Sequence, residues 1–244
     1  MIILIITILY FLARYLVNRH RYYSGSYYQV TRAPYSSLSG DKGRIGEYLI
    51  YKHLSKLEAS GGKFLFNVYI PKGADGTTEI DVLLITQKGL FVFESKNYSG
   101  WIFGSETQRN WTQTLPQGRR RSRKERFYNP IMQNQTHIAS LLSLIGKDLP
   151  VWSIITFSER CTLKDISVQS SNVRVINRYD VLHTVSSILM QAQADTLTES
   201  EADALYRQLY PYTQCTEEVK AQHIAKINTT NLRACMRVLN PVVS

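Results

Sequence analysis

The distribution of apolar and polar residues divides the chain into an N-terminal apolar run, a short polar spacer and a long mixed segment. Residues 1–13 carry no charge, and after Arg14 the chain is apolar again at residues 15–17. A membrane-spanning helix needs about 20 apolar residues, a length that this run reaches when the Arg14 side chain extends toward the interface. The pattern predicts a membrane anchor over residues 1–23, and a buried N-terminal helix is the alternative.

Basic and aromatic residues follow the apolar run, as in the belt of a membrane interface. Arg19 and Arg21 come together with Tyr22 and Tyr23. A cleaved signal peptide instead has basic residues before its apolar stretch and a small-residue cleavage site after it, and neither is present. The positive residues on this side predict a single-pass membrane protein with the bulk of the chain in the cytoplasm. Residues 24–40 are rich in Ser, Tyr and Gly and predict a linker between anchor and domain.

Beyond residue 40 the spacing of apolar residues predicts a series of helices and strands. The predicted helices cover residues 41–60, 130–145, 178–191, 198–211 and 216–226. The predicted strands cover residues 63–70, 78–86, 90–96, 101–104, 110–115, 151–157 and 173–176. A tight turn at residues 87–89 joins two of these strands and predicts a β-hairpin. A hairpin-rich sheet with helices on either side in the sequence is typical of a mixed α/β domain.

Three charged residues lie within the predicted hairpin. Glu94 and Lys96 are alternate residues of one strand, so they share a face of the sheet. If the turn has two residues, Lys88 and Gly89, Asp81 of the partner strand lies opposite Glu94 or close to it. Two carboxylates on one face repel each other, so we expect a cation beside them, either Lys96 or a divalent ion. Oxygen ligands of this kind favour Mg²⁺ or Mn²⁺.

The neighbours of these charges are more apolar than those on an ordinary exposed strand. On a half-exposed sheet, Asp, Glu and Lys often form the solvated side, which is the alternative interpretation here. Residues 82–85 (VLLI) and 90–93 (LFVF) are apolar at every position, a pattern typical of strands buried on both faces. Charges at the end of a buried strand suggest a function. A metal ion held there would polarise a phosphodiester and lower the pKa of a coordinated water.

The same residues resemble the nuclease-related domain (NERD) family of the PD-(D/E)xK, restriction-endonuclease-like superfamily. The resemblance covers about residues 40–160 and rests on the runs TEIDVLLIT, GLFVFESKNYSGWIFG and NPIMQNQTHI. It implies an α/β fold with a restriction-endonuclease-like core, made of a helix, a mixed sheet with a central hairpin, a second helix and a buried strand. The core would span residues 41–160, and residues 161–244, with the C-terminal helices, would complete or cap it.

The resemblance also implies roles for individual residues. Asp81 and Glu94 match the metal ligands of the family, and Lys96 matches its catalytic lysine. Glu47, in the Gly-Glu pair of the first helix, and Gln133, in the later helix, match supporting catalytic groups. The implied cofactor is Mg²⁺ or Mn²⁺, and the implied reaction is hydrolysis of the phosphodiester bonds of DNA or RNA.

Positive charge favours a polyanionic partner. The chain has 29 Lys and Arg residues against 19 Asp and Glu residues, a net charge of +10. A predicted loop concentrates cations that we expect to contact nucleic-acid phosphates, with a merely solvated loop and a loop facing anionic lipid as the alternatives. These cations are Arg119, Arg120, Arg121, Arg123, Lys124 and Arg126. Trp101, Phe103 and Trp111 are expected to fill the core of the sheet rather than to stack on bases.

Cysteine and histidine residues do not predict a zinc site. The three cysteines form no C-x-x-C motif, and their odd number predicts no disulfide framework. The five histidines form no spaced ligand pair. His137 lies one turn after Gln133 and is expected to be packed or exposed rather than part of the site.

Two functions fit these observations. The first is a membrane-anchored, divalent-metal-dependent nuclease, which requires a metal site and Lys96. The second is a catalytically inactive nuclease fold that binds nucleic acid or protein at the membrane and requires neither. Titration with Mg²⁺ distinguishes them, because only the first needs a metal site.

Overall fold

The computed structural model describes residues 1–73, 76–118, 121–192 and 194–215. The helices are α1 Ile2–Ser24, α2 Ser26–Thr31, α3 Lys42–Leu54, α4 Pro130–Ile145, α5 Val181–Gln191 and α6 Glu199–Leu209. The strands are β1 Lys63–Pro71, β2 Thr77–Thr86, β3 Gly89–Lys96, β4 Gly100–Ser105, β5 Asn110–Gln117, β6 Arg121–Tyr128, β7 Val151–Phe157, β8 Cys161–Ser167 and β9 Val173–Asn177. The predicted helix at 216–226, Arg119 and Arg120 lie outside the described residues.

A five-stranded sheet in the order β1-β2-β3-β7-β9 forms the centre of the domain. Strands β1, β2 and β3 are antiparallel neighbours, whereas β3, β7 and β9 run parallel. Helices α3 and α5 pack on one face and α4 and α6 on the other. Strands β2 and β3 are therefore buried on both faces, which explains why residues 82–85 and 90–93 are apolar throughout. The mixed α/β class predicted from the sequence is confirmed.

A second sheet of four strands, in the order β6-β5-β4-β8, continues from the carboxyl ends of the parallel strands. Both β3 and β7 lead directly into this sheet, and their continuations β4 and β8 again pair in parallel. Its inner face packs on the central sheet and α4 through Trp111, which is fully buried and stacks on Phe157. Strand β8 has no counterpart among the predicted strands, because its polar side chains give no apolar period.

Helix α1 is long and apolar enough to cross a membrane, and none of its most apolar window is buried in the domain. A signal sequence near the N-terminus meets the same criteria of length and composition. Its last turn differs from the rest, because Tyr22 is fully buried and its hydroxyl donates a 2.8 Å hydrogen bond to the carbonyl of Ala33. The end of the apolar helix is therefore part of the domain core.

Residues 24–40 are not the linker that their composition predicts. They form α2 and a 3₁₀ turn at Tyr35–Ser39, and Tyr27, Val30 and Leu38 are buried against α3 and the central sheet. Tyr27 and Val30 are three residues apart and so share one face of the short helix. Ser and Gly dominate the composition, but the few large apolar residues are spaced to pack together.

Within the basic segment predicted as a loop, residues 121–126 instead belong to strand β6. It pairs with β5 along its whole length, so its backbone groups are hydrogen-bonded while the charged side chains alternate between the two faces. A run of charges hides this pattern from the sequence, because strand periodicity is read from apolar residues. A smaller difference concerns the first core helix, in which the α-helical part ends at Leu54 and a 3₁₀ segment continues to Ser60.

Candidate functional site

The hairpin of β2 and β3 brings Asp81 and Glu94 together, as the sequence predicts. Gln87 and Lys88, rather than the predicted Lys88 and Gly89, form the two-residue turn, and regular pairing continues from Thr86 and Gly89 as far as Val82 and Phe93. Asp81 and Glu94 are the next residues along the two strands, and the Glu94 charge acts on the Asp81 carboxyl. The turn and the period of two therefore determine the neighbourhood of these carboxylates.

Asp81 lies at an interruption in the pairing of β1 with β2. The residues on either side are paired, but Asn67 and Asp81 are not, and Asn67 has a positive φ of 51°. The side chains of β2 change sides here, since Ile80 packs on the side of α4 and Val82 on the side of α3. The Asp81 carboxylate extends to β3, where its Oδ2 accepts a 2.7 Å hydrogen bond from the backbone N–H of Ser95.

Lys96 and His137 hold the carboxylate of Glu94 between them. Lys96 Nζ donates to Glu94 Oε1 at 2.6 Å and to Gln133 Oε1 at 3.0 Å. The other carboxylate oxygen, Oε2, lies 3.1 Å from His137 Nε2, and His137 Nδ1 lies 2.5 Å from the hydroxyl of Thr78. If the ring donates a hydrogen bond from Nε2 to the carboxylate and is neutral, its Nδ1 accepts a hydrogen bond from the Thr78 hydroxyl. The structure thus brings Gln133 to the site as expected, and it adds His137, which the sequence favours as a packed or surface residue.

The pKa values of the Asp81 and Glu94 carboxyls are shifted in opposite directions. Burial and the neighbouring Glu94 charge raise the pKa of Asp81 well above its usual value. Burial alone would also raise the pKa of Glu94, but the Lys96 ammonium and the bond to His137 outweigh it and lower the pKa. Burial of Lys96 favours its neutral form and acts to lower its pKa, but the nearby Glu94 carboxylate favours the charged form, and the pKa of Lys96 is raised. Glu94 and Lys96 are therefore a charged pair, while Asp81 carries an uncompensated cost when ionised.

Glu47 borders the site from α3, on the opposite side of the sheet from Gln133. It is 8% exposed, and its Oε2 accepts hydrogen bonds from Asn67 Nδ2 at 2.9 Å and from the hydroxyl of Tyr27 at 3.2 Å. Burial raises the pKa of Glu47 to about 7 despite these two donors. Its charge is also among those that raise the pKa of Asp81. Glu47 is therefore coupled electrostatically to Asp81, and a hydrogen bond connects it to Tyr27 of the N-terminal segment.

Arg178 is a buried charge near the site, and no motif or spacing in the sequence predicts its position there. It follows β9, is 1% exposed, and its Nη1 donates to Glu159 Oε2 at 3.2 Å. Its Nε and Nη2 have no hydrogen-bond partner among the described residues, and the same is true of the hydroxyl of Ser95. Both side chains lie against Gly46, where an added Cβ would come within 2.5 Å of Ser95 Oγ. Glycine at this position permits the close approach of α3 to β3.

The predicted phosphate-binding residues are distributed along β6. Arg121, Lys124 and Arg126 are exposed, and Arg123 is exposed and forms a 2.8 Å ion pair with Glu125. The predicted aromatic residues differ among themselves. Trp111 is buried as expected, whereas Trp101 is 42% exposed, so the expectation of a core role is wrong for Trp101.

The donor set of the site is suited to a hard divalent ion. Asp81 Oδ1 accepts no hydrogen bond from the described residues, and an ionised carboxylate oxygen has more than one position for a cation or donor. Asp81, Glu94 and Lys96 together leave excess negative charge when both carboxyls are ionised. No group of three or more His, Cys, Asp or Glu side chains suited to a metal occurs within the described part of the chain. Asp81 and Glu94 would supply two carboxylate ligands to such an ion and leave its other positions to water and phosphate oxygens, an arrangement that suits Mg²⁺.

The fold and site together define a mixed α/β domain with a buried carboxylate–lysine site on its central hairpin. The profile of the NERD family, described as nuclease-related domain, matches residues 42–158. The chain is also 33% identical over 183 residues to an uncharacterized protein of Bacillus anthracis, a match that covers 75% of this chain and 82% of that protein. The chain therefore belongs to the NERD family. No solved structure matches it.

Proposed function

We propose that this protein is a membrane-anchored, divalent-metal-dependent nuclease that hydrolyses phosphodiester bonds of DNA or RNA. Membership of the NERD family indicates a nuclease-related function. The observation that carries the proposal is the pair formed by the half-buried Asp81 and the buried Glu94, with Lys96 Nζ 2.6 Å from Glu94 Oε1. Such a pair lowers stability unless a cation balances it, and strongly perturbed carboxyls cluster at functional sites. The order of helix, hairpin, helix and buried strand supports a restriction-endonuclease-like core.

Asp81 and Glu94 would hold the Mg²⁺ or Mn²⁺ ion. An ion there supplies Lewis-acid polarisation of a phosphodiester and lowers the pKa of the water that it binds. Lys96 directs its ammonium group to the same place and is fixed by Glu94 and Gln133, so it stabilises negative charge on an attacking water or a phosphate oxygen. His137 keeps the Glu94 carboxylate in one orientation, which limits the reorganisation needed during reaction.

Nucleic acid as the substrate is supported by charge. The chain has a net charge of +10, and β6 adds a dense set of exposed cations to the sheet that continues from the site. Binding through such cations weakens as the salt concentration rises, because phosphate contacts release counterions. We therefore expect the logarithm of the association constant for an oligonucleotide to decrease linearly with the logarithm of the salt concentration.

Helix α1 would anchor the domain to the membrane with the domain in the cytoplasm. Its apolar window is exposed, and Arg19 and Arg21 follow that window on the side of the domain. Because Tyr22 belongs to the domain core, the helix is continuous with the folded domain. The full-length protein should remain in the membrane pellet after carbonate extraction, and deletion of residues 1–17 should release it. Release of the full-length protein would contradict the anchor.

Cleavage of a labelled oligonucleotide by the full-length protein in neutral detergent tests the nuclease proposal. We expect cutting with Mg²⁺ or Mn²⁺ and none with chelator. Lys96→Met should abolish cutting, but it leaves the Glu94 carboxylate buried without its partner, which costs about 3–5 kcal/mol and endangers the fold. The double variant Glu94→Gln/Lys96→Gln removes both charges, so it should fold and still fail to cut.

A matched control is Lys147→Met. Lys147 is half-exposed, pairs with Glu201 at 3.7 Å and follows the far end of α4. Gln133 and Lys147 are 14 positions apart, so about 20 Å of helix length separates this lysine from the site. Lys147→Met should cut at the parental rate. Equal cutting by the double variant would show that the activity comes from a contaminant or from another site. Polyanion binding by a parent protein that does not cut even with Mg²⁺ or Mn²⁺ would favour the inactive binding module.

A further inference from the structure

One face of the four-stranded sheet combines exposed aromatic rings with cations. Residues that pair directly across strands share a face, as do alternate residues along a strand. Trp101, Thr114 and Lys124 form one such row across β4, β5 and β6, and Phe103, Thr112 and Arg126 form the next. We call the face that these rows share the outer face.

Tyr128 and Lys164 complete the outer face. Tyr128 is the next alternate residue of β6 after Arg126 and is 45% exposed. Lys164 Nζ lies over one side of the Trp101 ring, 5.6 Å from the ring centroid, which places a cation directly beside this aromatic surface. The opposite face of the same sheet carries Trp111 and the buried core instead. The outer face therefore has no role in packing against the central sheet.

The chemistry of this face fits a single-stranded nucleic acid. Unpaired bases expose π-faces that stack on aromatic side chains, and cations beside the rings contact the phosphates between the bases. Lys124, Arg126 and Lys164 outnumber the acidic Asp165, which pairs with Phe103. A duplex hides its base faces, so it would gain only the contribution of the cations.

The outer face also begins close to the proposed site. Lys96 ends β3, and Trp101 follows five positions later, so the chain allows at most about 18 Å between their backbones. The backbone N–H of Gly100 bonds to the carbonyl of Arg160, which fixes the start of β4 beside the start of β8. At a rise of about 3.4 Å per nucleotide, a strand of roughly five nucleotides covers this distance.

We infer that the outer face, through Trp101, Phe103 and Tyr128 with Lys124, Arg126 and Lys164, binds a single strand of nucleic acid and leads it to the Asp81–Glu94 site. This inference rests on the proposed function for the destination of the strand. The binding itself does not depend on catalysis. It assigns the protein a single-stranded rather than a duplex substrate.

Fluorescence anisotropy with a labelled single strand of roughly 15 nucleotides tests the inference on the full-length protein in detergent and chelator. Trp101→Leu and Tyr128→Leu should each weaken binding at least about fivefold, which corresponds to the lower end of the stacking energy of one base, ~1 kcal/mol. Trp101→Phe keeps an aromatic face and should retain most of the affinity. Tyr179→Leu removes a 59% exposed aromatic ring from outside the sheet and should have no effect. Thermal unfolding of each variant checks that it is folded.

Charge variants distinguish binding by the cations of the outer face from binding that depends only on the total positive charge. Lys124→Ala/Arg126→Ala should lower the slope of log affinity against log salt by about 1.4, since each lost phosphate contact of a single strand contributes about 0.7. Arg121→Ala/Arg123→Ala removes the same charge from the opposite face and should have the smaller effect. The inference would be overturned by equal losses of affinity in the two double variants or by unchanged single-strand binding in Trp101→Leu. It would also be overturned if Trp101→Leu weakened duplex binding as much as single-strand binding.

The outcome is independent of the nuclease proposal. Loss of single-strand binding in Trp101→Leu supports the outer face even if Glu94→Gln/Lys96→Gln has no effect on cutting. Conversely, unchanged binding in Trp101→Leu overturns the outer face even if that double variant no longer cuts.

Discussion

Replacement of Asp81 by Asn should stabilise the metal-free protein. Asp81 is half-buried beside the buried Glu94, and both the loss of hydration and the Glu94 charge raise the pKa of its carboxyl. The substitution keeps the shape of the side chain, and the amide oxygen of Asn still accepts the hydrogen bond from the backbone N–H of Ser95. The change therefore removes the unfavourable charge while it preserves the local contact.

The size of the effect depends on pH in a defined direction. A carboxyl whose pKa is raised by folding destabilises the native state as the pH rises from its unfolded value, near 3.8, toward its folded value. The advantage of Asp81→Asn should be near zero at pH 4 and grow by up to ~1.4 kcal/mol per pH unit above that. Solvent relaxation reduces the ideal cost of a buried charge, so we expect a gain on the order of 1–3 kcal/mol at pH 7.

Urea unfolding in chelator, followed by circular dichroism at several pH values, measures this effect. Parent and variant should have the same slope m, while the midpoint of the variant should rise relative to the parent as the pH increases. The matched substitution Asp148→Asn alters a carboxyl outside the site and should leave the midpoint nearly unchanged. A lower midpoint for Asp81→Asn at pH 7 would refute the reasoning, because it would show that the ionised carboxylate is stabilised by the fold.

Further predictions concern Glu47 and the N-terminal segment. Folding raises the pKa of Glu47 from 4.5 to about 7, so the ionised side chain destabilises the folded protein at high pH. Glu47→Gln should therefore increase the free energy of unfolding by up to about 3 kcal/mol above pH 7 and should have no effect below pH 4.5. Urea unfolding at the two pH values measures the difference. A gain that is the same at both pH values would contradict this assignment. A fragment of residues 30–244 loses the buried Tyr22 and Tyr27 and should be unfolded, whereas a fragment of residues 18–244 should be folded. Truncation of one buried aromatic residue to Ala costs about 3–5 kcal/mol, and equal urea midpoints for the two fragments would contradict the packing of this segment.

The sequence was sufficient to predict the central hairpin and the placement of its charges. A two-residue turn and the strand period predict that Asp81 and Glu94 are neighbours, although the turn lies one residue earlier than the predicted Lys88-Gly89. The apolar runs on both faces predict buried charges, which holds for Glu94, whereas Asp81 is half-buried. Gln133 was found through a resemblance, and its approach to Lys96 depends on the packing of α4 on the sheet. These features follow from local patterns that the tertiary structure preserves.

Other parts of the site depend on contacts that no local pattern encodes. His137 meets Glu94 because α4 crosses the end of β3, and Arg178 reaches Gly46 because β9 joins the sheet beside β7. Tyr27 looked like part of a polar linker, yet its hydroxyl bonds to Glu47 over 20 positions of sequence. The outer face could not be recognised either, because it requires the register of β4, β5 and β6.

Calorimetric titration of the full-length protein with Mn²⁺ measures whether Asp81 and Glu94 hold a divalent ion. We expect one saturable site in the parent protein, loss of that site in Asp81→Asn and in Glu94→Gln, and its retention in Lys147→Met. Absence of binding by the parent at millimolar Mn²⁺, or equal binding by parent and Asp81→Asn, would contradict this expectation.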